Sequence, residues 1–233
     1  MAAMNLHAYE TREALAEALA AGVAAVLAGG LATHGAATLA VSGGSTPALF
    51  LRKLSAAGID WSGVTVLLVD ERWVPEASDR SNAAFLRSNL LQGPAAAASF
   101  APYYREGTTA REEASSLGAA HRLERPIDAL VLGMGTDGHT ASFFPGGDRL
   151  AEAIDPASSA MFEAIEAPGS GEPRVTLTLP PILAARFLAL HIEGEEKRGV
   201  LDKAVQEGPA EEMPVRAVLR GERQEPIEIF WAP

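Results

Sequence analysis

Three short apolar runs in this chain each end in a polar, glycine-bearing or charged turn. No other feature constrains the fold as much. Ala-Thr-Leu-Ala-Val at 37–41 runs into Ser42-Gly43-Gly44, residues 64–69 into Asp70-Glu71-Arg72, and residues 127–132 into Gly133. Runs this short and apolar read as buried strands. Around them lie stretches with apolar residues at helical spacing: 9–28, ended by Gly29-Gly30; 47–57, with Pro47 at the first helical position; 81–91; and 109–123. Strands alternating with helices predict an α/β chain with a mostly parallel sheet covered on both faces. In such a sheet ligands bind beyond the carboxyl ends of the strands. The turns 42–46, 70–73 and 133–140 are therefore expected to form one composite site.

Residues 93–107 read as a Gly/Pro/Ala-rich connection and 168–173 as a loop. Strands are expected at 160–166, 174–179, 186–192, 215–219 and 227–231, with a helix at 195–206. No repeat or linker divides the chain, so one domain over 1–233 is expected. With 48% apolar residues among 233, a substantial core can be buried. The formal charge of −11 disfavours nucleic acid and anionic membranes as partners. An anionic ligand must then be held by a small cluster of donors. The absence of cysteine removes thiol catalysis, thiolate metal sites and disulfides, and is compatible with a reducing cytoplasm. The apolar N-terminal stretch is broken by Glu10, Arg12, Glu13 and Glu17 and has no basic leader. It reads as an amphipathic helix rather than a signal peptide or membrane span.

The turn Ser42-Gly43-Gly44-Ser45-Thr46-Pro47 offers backbone N–H groups, two kinds of hydroxyl and a helix N-terminus, which is how phosphate is bound without much basic charge. An ordinary capped strand-to-helix turn is the alternative. Residues 133–140 spell a literal G-x-G-x-x-G, but Pro145-Gly146-Gly147 leaves no room for the long helix a dinucleotide fingerprint needs. The loop instead presents Asp137 and His139 at i and i+2. An imidazole can take a proton from water while a carboxylate orients it. Otherwise Asp137 caps a turn and His139 is merely exposed.

Arg72 can bind a phosphate or carboxylate in a fork, or can pair internally with Asp70 or a neighbour. Asp79-Arg80-Ser81-Asn82 reads mainly as structural, with Ser81 or Asn82 capping the next helix. Arg174, Thr176 and Thr178 share one strand face that can clamp an anion or simply face solvent. Lys197, near a helix start, has the same two readings. No metal-ligand spacing and no G-x-S-x-G elbow occur, so water is the natural nucleophile.

Taken together, residues 41–47, 70–75, Ser81-Asn82 and 132–142, with Arg174-Val175-Thr176 and the Gly194/Lys197 segment, resemble the 6-phosphogluconolactonase family along essentially the whole chain. The resemblance implies a Rossmann-like fold of the glucosamine-6-phosphate deaminase kind. It implies hydrolysis of 6-phospho-D-glucono-1,5-lactone to 6-phospho-D-gluconate in the oxidative pentose phosphate pathway, by a cytoplasmic monomer or weak homo-oligomer, with no metal or organic cofactor. His139 is then the acid/base and Asp137 its support. Ser42, Gly43, Gly44, Ser45, Thr46, Arg72, Arg174 and Lys197 then surround the anionic substrate. The family more often has Pro in place of Thr136 and Leu in place of Phe143; neither change touches the proton-transfer groups.

Two rivals share the fold. A glucosamine-6-phosphate deaminase usually continues Ile-Ala-Phe-Asn-Glu-Pro after the histidine, where this chain has Thr-Ala-Ser-Phe-Phe-Pro. A non-catalytic sugar-phosphate sensor would have no need of the Asp137/His139 pair.

Overall fold

The computed structural model describes residues 3–121 and 123–233. Its first half runs β1 (Met4–Ala8), α1 (Arg12–His34), β2 (Ala37–Val41), α2 (Ala48–Ser55), β3 (Val64–Leu68), β4 (Asp70–Arg72), α3 (Asn82–Asn89), β5 (Ser99–Phe100) and α4 (Ala110–Ala120). Then follow β6 (Ala129–Leu132), α5 (Leu150–Ala153), β7 (Phe162–Ile165), β8 (Arg174–Leu177), α6 (Leu179–Ala184), β9 (Phe187–Glu193), α7 (Glu195–Ala204), α8 (Val215–Arg220) and β10 (Ile227–Ala232).

Seven strands form a parallel sheet in the order β1-β10-β9-β6-β2-β3-β5. All four residues of β6 are buried. Successive side chains point to opposite faces, so both faces of this sheet are covered. Strand order reverses between β2 and β6, whose residues pair as Leu39 with Ala129 and Val41 with Val131. The loops leaving these two strands emerge side by side, where a parallel sheet forms its ligand crevice.

Four expectations need correction. Helix α1 does not stop at Gly29-Gly30 but ends at Gly35, which takes a left-handed cap with φ 71°. Gly30 serves packing instead: a Cβ there would lie 3.1 Å from the Cβ of Ala37 and from Oδ1 of Asp128. The segment 215–219 is helix, not strand: Val215, Val218 and Leu219 are buried at i, i+3 and i+4, after Pro214. Asp70-Glu71-Arg72 is a strand rather than a turn; it pairs antiparallel with β8, and β8 with β7, in a separate three-stranded sheet. Finally, β8 ends at Leu177, and Leu179-Pro180-Pro181 opens α6. The two sheets join through Val69, whose N–H donates to Val41 and whose carbonyl accepts from Leu177.

Three elements escaped the sequence reading altogether, the edge strands β1 and β5 and the short helix α5. Helix α1 is long and apolar enough to cross a membrane by length and composition. Its buried residues Leu15, Leu19, Val23 and Leu27, however, form one stripe packed toward the sheet and α2.

Candidate active site

The turn after β2 is shaped by a neighbour. A Cβ on Gly43 would stand 1.9 Å from Oδ1 of Asn82, so only glycine allows that amide to lie against the turn. Gly44 adopts φ 96°. Helix α2 then begins without a side-chain cap, leaving its N–H groups and positive end at the cleft. Lys197, on α7, reaches across and donates from Nζ to Oγ1 of Thr46 at 3.2 Å. Burial pushes its ammonium below the ordinary lysine range, against the opposing charges of Glu193 and Glu196.

The small sheet brings side chains directly to the same place. Arg72 and Arg174 are paired residues of β4 and β8. Like charges directly opposite one another repel, so this pair favours an anion between or beside them. Arg174 is buried, lies 3.6 Å from Oδ2 of Asp70, and stacks 5.1 Å above the Phe144 ring. Desolvation lowers its pKa, with Asp70 opposing, yet a guanidinium stays cationic at neutral pH. Arg72 does not pair with Asp70; its guanidinium donates to the carbonyl of Arg80. Asp70 also accepts from the hydroxyl of Ser142 at 2.6 Å.

Glu71 faces away from this chemistry. It is fully buried and accepts from the N–H groups of Arg72, Asn82 and Ala83, each at 2.8 Å, tying β4 to the start of α3. Burial pushes its carboxyl up, while those hydrogen bonds pull it back.

In the loop after β6, Nδ1 of His139 stands 2.6 Å from Oδ1 of Asp137, which also accepts the His139 backbone N–H at 3.0 Å. A carboxylate only accepts, so Nδ1 carries the proton and Nε2 is left with its lone pair. The His139 hydrogen bond is the main reason that the Asp137 carboxyl is held below its ordinary range. The loop cannot close without its glycines: a Cβ on Gly135 would lie 2.2 Å from the imidazole, and Gly138 has φ 80°. Ala141, a residue further on, is left-handed at φ 51°, the one such non-glycine among the described residues. Thr140 Oγ1 donates to Gly133 O at 2.7 Å, and the N–H of Val215 at the start of α8 donates to Gly138 O at 2.9 Å. The correction at 215–219 therefore has a functional side, because α8 braces the histidine loop.

A cleft of about 220 Å³ brings together Ser42, Gly43, Gly44, Ser45 and Thr46 with Arg72, Arg174, Lys197 and His139. Asp137 stands behind His139 and does not line it. Asp70, Asn82 and Met134 also line it and were not singled out from the sequence. Asn82 was read only as a helix start; its amide in fact bridges the carbonyl of Asp70 and the glycine turn. A larger hollow of about 1280 Å³ lies at the opposite end of the sheet, beside Pro126 and Phe187. It has neither the dyad nor the Arg72/Arg174 pair, which both lie at the smaller cleft.

Fold and site together define a class. Residues 10–231 match the family described as glucosamine-6-phosphate isomerases/6-phosphogluconolactonase, and the chain belongs to it. Within that family the similarity is to lactonases. A 6-phosphogluconolactonase of Rhizobium meliloti (strain 1021) is 52% identical over 98% of this chain and 99% of its own length. A 6-phosphogluconolactonase structure from Shewanella baltica OS155 superposes with a TM-score of 0.94 at 37% identity, covering 99% of this chain and 98% of that one. A monomeric glucosamine-6-phosphate deaminase shares the fold, with a TM-score of 0.77 at 15% identity over 98% of this chain and 97% of that one.

Proposed function

We propose that this chain hydrolyses 6-phospho-D-glucono-1,5-lactone to 6-phospho-D-gluconate, the step of the oxidative pentose phosphate pathway that opens the lactone. The observation that carries this reading is the His139–Asp137 dyad, at 2.6 Å, at the rim of a cleft whose other walls are Arg72, Arg174, Lys197 and the glycine turn. The phosphate, close to −2 at neutral pH, is held by the Ser42–Thr46 turn with Arg174 and Lys197, and Arg72 adds cationic charge beside it. The lactone carbonyl then lies toward Nε2 of His139.

Water attacks the carbonyl carbon as Nε2 takes its proton, while Asp137 holds Nδ1–H and offsets the new imidazolium charge. The carbonyl electrons move onto oxygen to give a tetrahedral oxyanion. That oxyanion collapses, the bond from carbon to ring oxygen breaks, and Nε2 returns its proton to the ring oxygen. Each atom and proton is accounted for by lactone and water alone. The whole of residues 1–233 acts as one such domain, a monomer or weak homo-oligomer working in the cytoplasm. The lack of cysteine is compatible with that placement.

The test generates the lactone in situ and follows its loss with the unmodified protein, with His139→Ala, and without protein. The unmodified protein should act rapidly, and His139→Ala should fall about 10²- to 10⁴-fold in kcat. Equal loss in all three would refute the reading, and ammonium release from glucosamine 6-phosphate would replace it with the deaminase.

A further inference from the structure

His191 lies on β9 one strand away from the switch point, and its side chain is fully buried. Nε2 stands 3.1 Å from Oε1 of Glu193, whose other oxygen pairs with Arg12 at 3.4 Å. A carboxylate cannot donate, so Nε2 carries the proton and Nδ1 of the neutral ring is an acceptor. Nδ1 is nevertheless buried with no hydrogen-bond partner among the described residues, and so is the hydroxyl of Ser42. An unmet buried acceptor is costly, which makes two of them at one place informative.

Both residues line one small space of about 10 Å³ beneath the glycine turn, together with Pro47, Phe50 and Gly133. That is the room that a single water needs, and the site offers two polar partners. Ser42 also lines the cleft above, so this residue stands between the two spaces.

We infer that this space is a binding site for one structural water, and that His191 acts through it as a positioning residue for the anion-binding turn. The water donates one O–H to Nδ1 of His191 and the other to a lone pair of Ser42 Oγ. A serine hydroxyl has a single proton. With one of its two lone pairs occupied from below, that proton is directed up into the cleft, where an anionic oxygen accepts it. The order Arg12, Glu193, His191, water, Ser42 then fixes the direction of the Ser42 hydrogen bond to the substrate's anionic end. The role assigned to Ser42 rests on the proposed function; the water site itself does not.

Three measurements test this. A high-resolution crystal structure of the unmodified protein should show one ordered water within hydrogen-bonding distance of both Nδ1 of His191 and Oγ of Ser42. Nitrogen NMR should find His191 protonated on Nε2 alone. Calorimetric titration with 6-phosphogluconate should show His191→Phe binding about fivefold more weakly, as expected for one hydrogen bond. His191→Asn should recover part of the loss, and His191→Phe should have no further effect once Ser42→Ala is present. No water density, a proton on Nδ1, or the same His191→Phe loss in both backgrounds would overturn the inference. Circular dichroism on each variant separates these results from unfolding. If the unmodified protein fails to turn over the lactone, the proposed function falls, while density and nitrogen shifts still decide the water site.

Discussion

The seven-stranded and three-stranded sheets contribute to one cleft in opposite ways. The central strands of the large sheet are mostly apolar on both faces and give the cleft almost no side chains. Their contribution is made by the loops that leave them: a turn that offers backbone, and a loop that holds His139 by Asp137 and a tight glycine. The small sheet offers strand side chains directly. Asp70, Arg72 and Arg174 project from β4 and β8 into the cleft, and two of them are buried with their charge. A parallel sheet can place backbone donors and a mobile proton carrier at its rim while keeping a dry interior. An antiparallel edge can set fixed charges side by side, at the expense of desolvating them.

That division predicts separate kinetic effects. The largest is expected from Gly135→Ala, which forces the imidazole away from Asp137. A displacement on the order of 1 Å at a reacting group is worth about 10² in rate, so kcat should fall by that factor with KM nearly unchanged. Steady-state kinetics with in situ lactone reads it, and a pure KM effect would break the comparison.

Next is Arg174→Leu, which should raise KM by about ten- to a hundredfold through loss of a charge-assisted contact while leaving kcat within a few-fold. A large kcat loss would mean that the small sheet takes part in the chemical step. The smallest effect concerns Lys197, a cation supplied from the rim of the large sheet, where the division is least clean. Burial depresses its pKa, so its charge is present below that lowered value and lost above it, at a lower pH than for an exposed lysine. Affinity for 6-phosphogluconate should therefore weaken by a few-fold as pH rises through the alkaline range, and Lys197→Met should remove that step from a calorimetric titration series.

The same contrast explains what could be read in advance. Strands β2, β3, β6, β9 and β10 were legible because burial on both faces leaves an apolar run in the sequence. So were the loops at their ends, because turns that directly follow parallel strands emerge on one edge of the sheet, where they meet at one cleft. Asp70-Glu71-Arg72 was misread because three charged residues carry no hydrophobic pattern. Their burial depends on partners distant in sequence, Arg174 and Thr176 across the strand pair and the α3 N-terminus beneath Glu71. Gly30 was taken for a stop signal because sequence cannot show that Ala37 and Asp128 press on it. The segment 215–219 carries its own signal: Val215, Val218 and Leu219 follow helical spacing after a proline.

The left-handed Ala141 has a bearing on heat. A non-glycine residue at positive φ holds strain on the order of 1 kcal/mol. Here it is kept in place by Thr140, which bonds Gly133, and by Ser142, which bonds Asp70 and Thr176 of the small sheet, with α8 bracing Gly138 nearby. Warming loosens a loop held by a few side-chain hydrogen bonds before it reaches a two-faced core. The loop around His139 should therefore spring open while the strands behind it are still intact. Catalysis should then fade, on a temperature ramp, some degrees below the loss of far-ultraviolet circular dichroism, and return on cooling. Coincident loss of both signals would show that the loop and the core melt as one unit.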